Sequence, residues 1–276
     1  VSRKRNALIG VLPITRLLIS DPQMLVREIM KTENDHAIPA DLPEREVARI
    51  FEQRDLISAP VINEDRQLLG RITIDDVVDV IREDADHSLM SMAGLDEDED
   101  TFAPVLKTSR RRAVWLGINL ITAFLASAVI GLFEATIDQV VALAVLMPIV
   151  ASMGGIAGSQ TLTLVIRGQA LGHIERHNIG WLFNRELIVS IINGSLWAVV
   201  VAAIAVLWFQ DMTIGIVIAM AIVINLVAGA MAGSLLPLTL KQAGIDPALA
   251  GGVLLTTITD VVGFFAFLGL ATFFYG

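Results

Sequence analysis

The stretch LLTTITDVVG, residues 254–263, is apolar apart from one acid near its centre and three threonines. It lies in the run 247–276, in which Asp260 is the only formally charged side chain. An apolar run of this length predicts a helix that spans a membrane. A carboxylate inside such a helix costs about 3 kcal/mol on insertion scales, so it usually faces a water-filled path, an ion or a partner charge. Asp260 is therefore the first candidate for a functional site, the alternative being an acid that snorkels to the interface or pairs helices.

Four more uncharged runs precede this one, and each is long enough to cross the hydrocarbon layer. Basic residues lie before the first run and between the second and third, whereas only acids follow the first and third. Because basic loops stay in the cytoplasm, we expect a cytoplasmic amino terminus and an outside carboxyl terminus in a bacterial-type inner membrane. Residues 107–276 thus predict an all-α transmembrane domain, surrounded by membrane lipid, with helices at about 113–133, 139–166, 187–210, 212–240 and 247–276.

Charge divides the chain into two unlike parts. Residues 1–106 hold 22 acidic and 12 basic side chains, whereas residues 107–276 hold 7 and 8. A soluble acidic part therefore precedes a nearly neutral membrane part. The acidic surface and the lack of a basic, aromatic patch argue against nucleic acid as a partner. The chain has no cysteine, which excludes disulfides, thiolate metal sites and cysteine nucleophiles.

The soluble part predicts a helix, two strands and a second helix. Residues 59–62 and 68–73 have the composition of two short strands joined by a turn. An amphipathic helix begins after Pro43, and another begins at Ile74. The second helix is predicted to turn three apolar side chains inward: Val77, Val78 and Ile81.

An internal repeat is present, because residues 10–18 and 70–78 share a glycine and apolar pattern at a shift of 60. This pattern resembles CBS modules, which occur as tandem pairs. The resemblance implies a complete second module over 24–81 and the tail of a truncated first module over 1–23. We therefore expect the chain to be a fragment or a partly ordered product.

Eleven acids and one base lie between Asp75 and Asp100, which predicts an acidic connecting helix and linker over 75–106. Like charges on one helical face destabilise each other unless a cation intervenes, and several carboxylates together suit a hard divalent ion. The alternative is a solvated acidic helix that runs into a mobile linker at 96–100. Four acids share one stripe of the predicted helix: Asp76, Asp79, Glu83 and Asp84.

Glycines cluster in the second apolar run, after Pro148. Each one weakens a helix by about 1 kcal/mol relative to alanine, so a compensating role is expected. Glycines either let two helix backbones approach closely or open a helix toward an ion path. We favour the pore interpretation for this run and the packing interpretation for Gly229 and Gly233 in the fourth run. The glycines of the second run are Gly154, Gly155 and Gly158.

Five motifs together resemble the MgtE family of magnesium channels: PIV (148–150), GG (154–155), AGSQT (157–161), DPAL (246–249) and TITD (257–260). The resemblance spans the whole chain. It implies a multi-domain membrane protein in which an α+β cytoplasmic domain of CBS type is followed by a "plug" helix and five spanning helices. It also implies a homodimer whose ion path lies on the dimer axis, between the second and fifth spanning helices.

The resemblance implies which residues of this sequence correspond to the family's site residues. The family's pore aspartate falls on Asp260, and the acids of its magnesium sensor fall on Asp76, Asp79 and Asp84. Mg²⁺ keeps most of its waters and is held by one or two carboxylates, which one Asp per subunit would supply. Around Asp260, the residues that we predict to line the pore are Thr256, Thr257, Gly252 and the glycines of the second run.

Three departures from the family pattern concern the pore and a nucleotide site. Ile156 stands where the family usually has Asn, and Gly252 stands where some relatives have a polar residue. Pro13 and Arg16 replace a hydroxyl and an acid that some relatives use to contact ATP. Thr73 and Asp76 keep the hydroxyl and acid pattern in the second module, so they are the candidate ATP contacts.

These observations predict a Mg²⁺-selective channel that is gated by Mg²⁺ binding to its acidic cytoplasmic region. The alternative is a proton- or sodium-coupled divalent-cation transporter or effluxer in which Asp260 titrates. A CBS receptor without transport would leave Asp260 unexplained. We do not expect an enzyme, because no second acid accompanies Asp260 in the predicted spans and no H-E-x-x-H motif occurs.

Overall fold

The computed structural model describes residues 6–32, 36–95, 102–174 and 177–276. These residues divide into two compact units, Val1–His87 and Ser88–Gly276. The acids at 96–100, predicted to form a mobile linker, lie outside the described residues.

The first unit is a small mixed sheet flanked by helices. Its elements are α1 (Ile14–Ile19), α2 (Val26–Ile29), β1 (Ile38–Pro39), α3 (Glu44–Arg54), β2 (Ser58–Ile62), β3 (Leu68–Thr73) and the start of α4 (Ile74–Met92). Strand β2 is central, because it pairs with β1 in parallel and with β3 antiparallel. The predicted order of helix, strand, strand and helix over residues 43–81 is confirmed. The assignment of residues 1–23 to a truncated module stays a prediction.

The core of this unit lies between the sheet and the helices α3 and α4. Helix α3 begins after Pro43, whose extended backbone leads into the first turn. It ends at Asp55, which takes the left-handed conformation at φ 50°. Apolar residues at helical spacing thus face the sheet, and the buried side chains are Ile38, Val47, Ala48, Phe51, Ala59 and Val77.

The inward face of α4 differs in part from the prediction. Val77 is 3% exposed, but Val78 is 53% and Ile81 is 49% exposed. Successive helical residues are turned by about 100°, so a side chain next to a buried one points elsewhere. Val80, one turn after Val77, packs on the core instead. The prediction that Val78 and Ile81 face inward was therefore wrong.

The second unit contains the membrane helices, which are α5 (Val105–Gly131), α7 (Ala142–Ala170), α8 (Ile179–Phe209), α9 (Met212–Gln242) and α10 (Pro247–Tyr275). Among the described residues, these five helices are long and apolar enough to cross a membrane. A short helix, α6 (Glu134–Gln139), joins α5 to α7. The predicted fold class, an α+β domain followed by an all-α five-helix membrane domain, is thus confirmed. Helices α5 and α8 each begin eight residues before the predicted runs, because each helix also includes the charged residues that precede its apolar run.

Helix α9 is the centre of the membrane unit. In its most apolar window 56% of the residues are buried, compared with 6% for α5. Helices α7, α8 and α10 all pack against α9, whereas α5 packs mainly against α10. The two helices with the candidate pore motifs, α7 and α10, also contact each other.

Side-chain hydrogen bonds connect the start of α9 to the end of α10. Asp211 caps α9, because its carboxylate accepts hydrogen bonds from the backbone N–H groups of Thr213 and Ile214. The Tyr275 hydroxyl, at the end of α10, donates to the same carboxylate. This hydrogen bond is the main reason that the pKa of Asp211 lies below its usual value.

Candidate functional site

A cavity of about 700 Å³ opens beside Asp260 in the membrane unit. Helix α7 provides one wall and α10 the other. Asp260 is half-buried, and it is the only charged side chain among the described lining residues. The lining residues are Ala151, Ser152, Gly155, Ile156, Ser159, Gln160 and Thr163 from α7, with Thr256 and Asp260 from α10.

The polar atoms of this cavity are mostly oxygens. The described residues that line it carry one carboxylate, four hydroxyls and one side-chain amide, and no sulfur or imidazole. Carboxylate, hydroxyl and amide oxygens suit hard cations and their hydration waters, whereas softer metals prefer thiolate or imidazole. The lining therefore favours a hard, hydrated cation over a transition metal.

The threonines of α10 interact with their own helix. The Thr256 hydroxyl donates to the carbonyls of Gly252 and Val253, and the Thr257 hydroxyl donates to Val253 at 2.7 Å. Neither hydroxyl therefore donates to Asp260, although Thr256 lines the cavity. Thr257 and Gly252 are not among the lining residues of this cavity, and their place in the pore stays a prediction.

The glycines of α7 divide between two faces of that helix. Gly155 lines the cavity, but Gly154 and Gly158, which lie one turn apart, face α9. A Cβ on Gly154 would lie 2.2 Å from the Asn225 amide nitrogen, and one on Gly158 would lie 3.0 Å from the Gly229 carbonyl oxygen. Gly154 and Gly158 thus permit close packing because they lack side chains, and their pore-lining role stays a prediction.

Several lining residues of α7 were missed by the sequence analysis. These residues recur every three to four positions, and this helical spacing is the sequence signal by which they could have been identified. Read with that period, residues 152, 156, 159 and 163 form one face that is polar except at one position. The exception is Ile156, which is 57% exposed. The missed residues are Ala151, Ser152, Ser159, Gln160 and Thr163.

A second acid lies within the candidate spans. Glu186 belongs to α8 and is only 6% exposed. It accepts a hydrogen bond from Thr161 of α7 at 3.0 Å and pairs with Arg185 at 2.6 Å. The statement that no second acid accompanies Asp260 in the spans was therefore wrong. Glu186 does not line the cavity, so the two carboxylates do not form a catalytic pair there.

Two of the three acids of the predicted sensor interact with neighbours within the first unit. Asp76 accepts from the backbone N–H and the hydroxyl of Thr73, at 3.1 and 3.2 Å. Asp84 forms an ion pair with Arg45 at 2.7 Å, and Asp79 is exposed. Among the described residues, no three His, Cys, Asp or Glu side chains are grouped so that they could hold a metal. Metal sensing by these acids and ATP binding by Thr73 and Asp76 stay predictions.

Comparison with known proteins gives two family matches. Residues 147–270 match the model of the MgtE family, described as a divalent cation transporter, and residues 26–83 match that of the CBS domain. The magnesium transporter MgtE of Bacillus subtilis (strain 168) is 35% identical over 278 residues, which cover 99% of this chain and 60% of that protein. The MgtE of Enterococcus faecalis (strain ATCC 700802 / V583) is 28% identical over 273 residues, 98% of this chain and 59% of that protein. This chain thus spans about 60% of the length of the curated relatives.

Two solved structures are also similar to a part of this chain. A crystal structure of the cytosolic domain of the Mg²⁺ channel MgtE in complex with ATP is 38% identical, covers 29% of this chain and 32% of that chain, and has a TM-score of 0.28. The soluble part of a magnesium transporter is 29% identical, covers 30% and 32%, and has a TM-score of 0.29.

The family matches and the near-complete alignment with two relatives agree with the membrane and CBS-type units described above. They also agree with the prediction that the chain is not an enzyme. The chain is a member of the MgtE family, with a CBS domain ahead of the MgtE membrane region.

Proposed function

We propose that this chain moves Mg²⁺ across the membrane through a passage beside Asp260. The observation that carries the proposal is the cavity between α7 and α10, where one carboxylate stands among hydroxyl and amide groups. A dication that keeps its hydration shell needs a nearby negative charge and acceptors for its water hydrogens, and this lining supplies both. The relatives, which are magnesium transporters, support the same cargo.

We propose that two copies of the chain form the complete passage. The cavity is open on one side, and a single carboxylate faces it from the described residues. A two-fold axis along this open side would bring two Asp260 carboxylates to one path and would neutralise the charge of one Mg²⁺. We further propose that the amino terminus is cytoplasmic and that the path runs between the α7 and α10 helices of both copies.

The first prediction separates a channel from a coupled transporter. The purified chain is reconstituted in liposomes that contain a Mg²⁺-sensitive dye, and uptake is followed with and without proton and sodium gradients. We expect uptake to follow the Mg²⁺ gradient and the membrane potential alone, because Asp260 is the only titratable side chain that the described lining residues of each copy contribute, and the proposal assigns it to the Mg²⁺ ion. Uptake that stops when a proton or sodium gradient is removed would instead support the coupled alternative.

The second prediction concerns regulation by the acidic stripe of α4. We propose that bound Mg²⁺ screens repulsion among these acids and favours the closed state. Combined substitution of Asp76, Asp79 and Asp84 with Asn should therefore leave flux nearly unchanged when Mg²⁺ is raised on the cytoplasmic side, where the parent chain closes. The readout is the ratio of flux at low and high cytoplasmic Mg²⁺.

A matched control removes three negative charges from α3 instead, by substituting Glu44, Glu46 and Glu52 with Gln. These acids lie on the same unit but outside the stripe, so closure should persist. If the α4 variant closes like the parent chain, the sensor proposal is wrong.

A further inference from the structure

We propose that Asn225, in the middle of α9, is a positioning residue that sets the separation of the two cavity walls beside Asp260. The inference rests on the proposed function, because it assigns a role in the same passage. Asn225 does not line the cavity and is completely buried.

One contact of Asn225 is to the α7 wall. Its side-chain nitrogen donates to the backbone carbonyl of Val150 at 2.8 Å. In an α-helix this carbonyl also accepts from the N–H of Gly154, so the amide lies over that turn of α7. The same turn carries Ala151 and Ser152, which line the cavity. Asn225 therefore holds the turn that forms one wall.

The amide also lies against the α10 wall. A Cβ on Gly263 would come within 2.6 Å of the Asn225 nitrogen, and a Cβ on Gly154 within 2.2 Å. The amide thus fits between the two wall helices only because each has a glycine there; a methyl group on either one would overlap it. Gly263 follows Asp260 by three residues, less than one helical turn. The side chain is wedged between the two helices close to the level of the carboxylate.

The chemistry of the amide indicates more than packing. Its oxygen is buried and has no hydrogen-bond partner among the described residues. A buried acceptor without a partner is unfavourable, and leucine would fill a similar volume without it. Asn225 gives one directional bond to α7 and leaves its oxygen unused. We infer that the role of Asn225 is to make this bond, which holds α7 against α9, while the same side chain contacts α10.

The test enlarges the side chain at position 154, shortens the one at position 225, and then combines the two changes. Gly154→Ala adds a methyl group where the amide stands, and Asn225→Ala removes the amide. We expect Gly154→Ala to reduce maximal Mg²⁺ flux by about tenfold or more, since small displacements of a site have large effects on rate. We expect Asn225→Ala to reduce it by about fivefold, and the double variant to recover to within about threefold of the parent, because contacting residues are coupled.

The matched control is Gly158→Ala, one turn along the same face of α7. Its Cβ would meet Leu255 and Gly229 rather than Asn225. Asn225→Ala should therefore not rescue it. Rescue of both glycine variants, or of neither, would overturn the inference.

A second readout reports the wall separation without transport. The chain has no cysteine, so an introduced pair reacts without background. A Cβ on Gly155 would lie 3.9 Å from the Thr259 hydroxyl oxygen, so these neighbouring positions of α7 and α10 are chosen for the pair Gly155→Cys and Thr259→Cys. Oxidation of this pair should be several times slower with Asn225→Ala and should recover with Gly154→Ala added.

The two readouts distinguish the ways in which the idea could fail. If Asn225→Ala leaves the oxidation rate unchanged, the positioning role is wrong, whatever the chain transports. If the oxidation rates follow the expectation but flux does not depend on Asp260, the spacing role stands and the transport function is wrong. Thermal unfolding of each variant in detergent identifies those that have simply lost their fold.

Discussion

Asp260→Asn should reduce Mg²⁺ flux through the reconstituted chain by about a hundredfold. This substitution keeps the shape of the side chain and removes the only charge in the described cavity lining. A hydrated dication in the passage loses an attraction of about 3 kcal/mol, which corresponds to a decrease in flux of about a hundredfold. The measurement is dye-detected uptake at saturating and at low Mg²⁺.

Asp138→Asn is the matched control, because this acid is exposed on the short helix α6 and lies outside the cavity. We expect it to transport at the parent rate. Asp260→Glu should retain more flux than Asp260→Asn, since it keeps the charge but moves it by one methylene. Parent-like flux in Asp260→Asn would show that the ion does not pass this carboxylate.

Alanine at Gly229 or Gly233 should strongly destabilise the membrane unit. A Cβ on Gly229 would lie 2.7 Å from the carbonyl oxygen of Gly154, and one on Gly233 would lie 2.6 Å from that of Gly158. Because these neighbours are backbone atoms, α7 and α9 must move apart to accept a methyl group. We expect each change to lower the free energy of unfolding by about 2 kcal/mol, which is typical of overpacking. The measurement is thermal unfolding in detergent, followed by circular dichroism.

Gly117→Ala tests whether the effect comes from packing rather than from glycine itself. No atom lies within 4 Å of a Cβ at this helical position. Alanine is favoured over glycine in a helix by about 1 kcal/mol, so this variant should be as stable as the parent or slightly more so. Equal losses at Gly117 and Gly229 would contradict the packing explanation.

The sequence was sufficient to predict the spans and to single out Asp260 as a candidate, since both depend on the transfer of residues from water to lipid. Hydropathy identifies five runs, and one carboxylate in such a run is conspicuous. The exact ends of the helices could not be predicted from hydropathy, because a helix can continue through charged residues. Glu186 was consequently placed outside the third span, although it is buried in α8.

The roles of the glycines and of the sensor acids could not be predicted in this way. Gly154 and Gly155 are adjacent, yet one faces α9 and the other the cavity, because each residue turns a helix by about 100°. Which side meets a neighbour depends on the tertiary arrangement. Similarly, the partner of Asp84 is Arg45, 39 residues away along the chain. No local pattern indicates that contact.

Helix α5 has a mechanical consequence for the passage. It is the least buried of the five spans, and it packs mainly against α10. Within the described residues, a displacement of α5 therefore acts first on α10, the helix that carries Asp260.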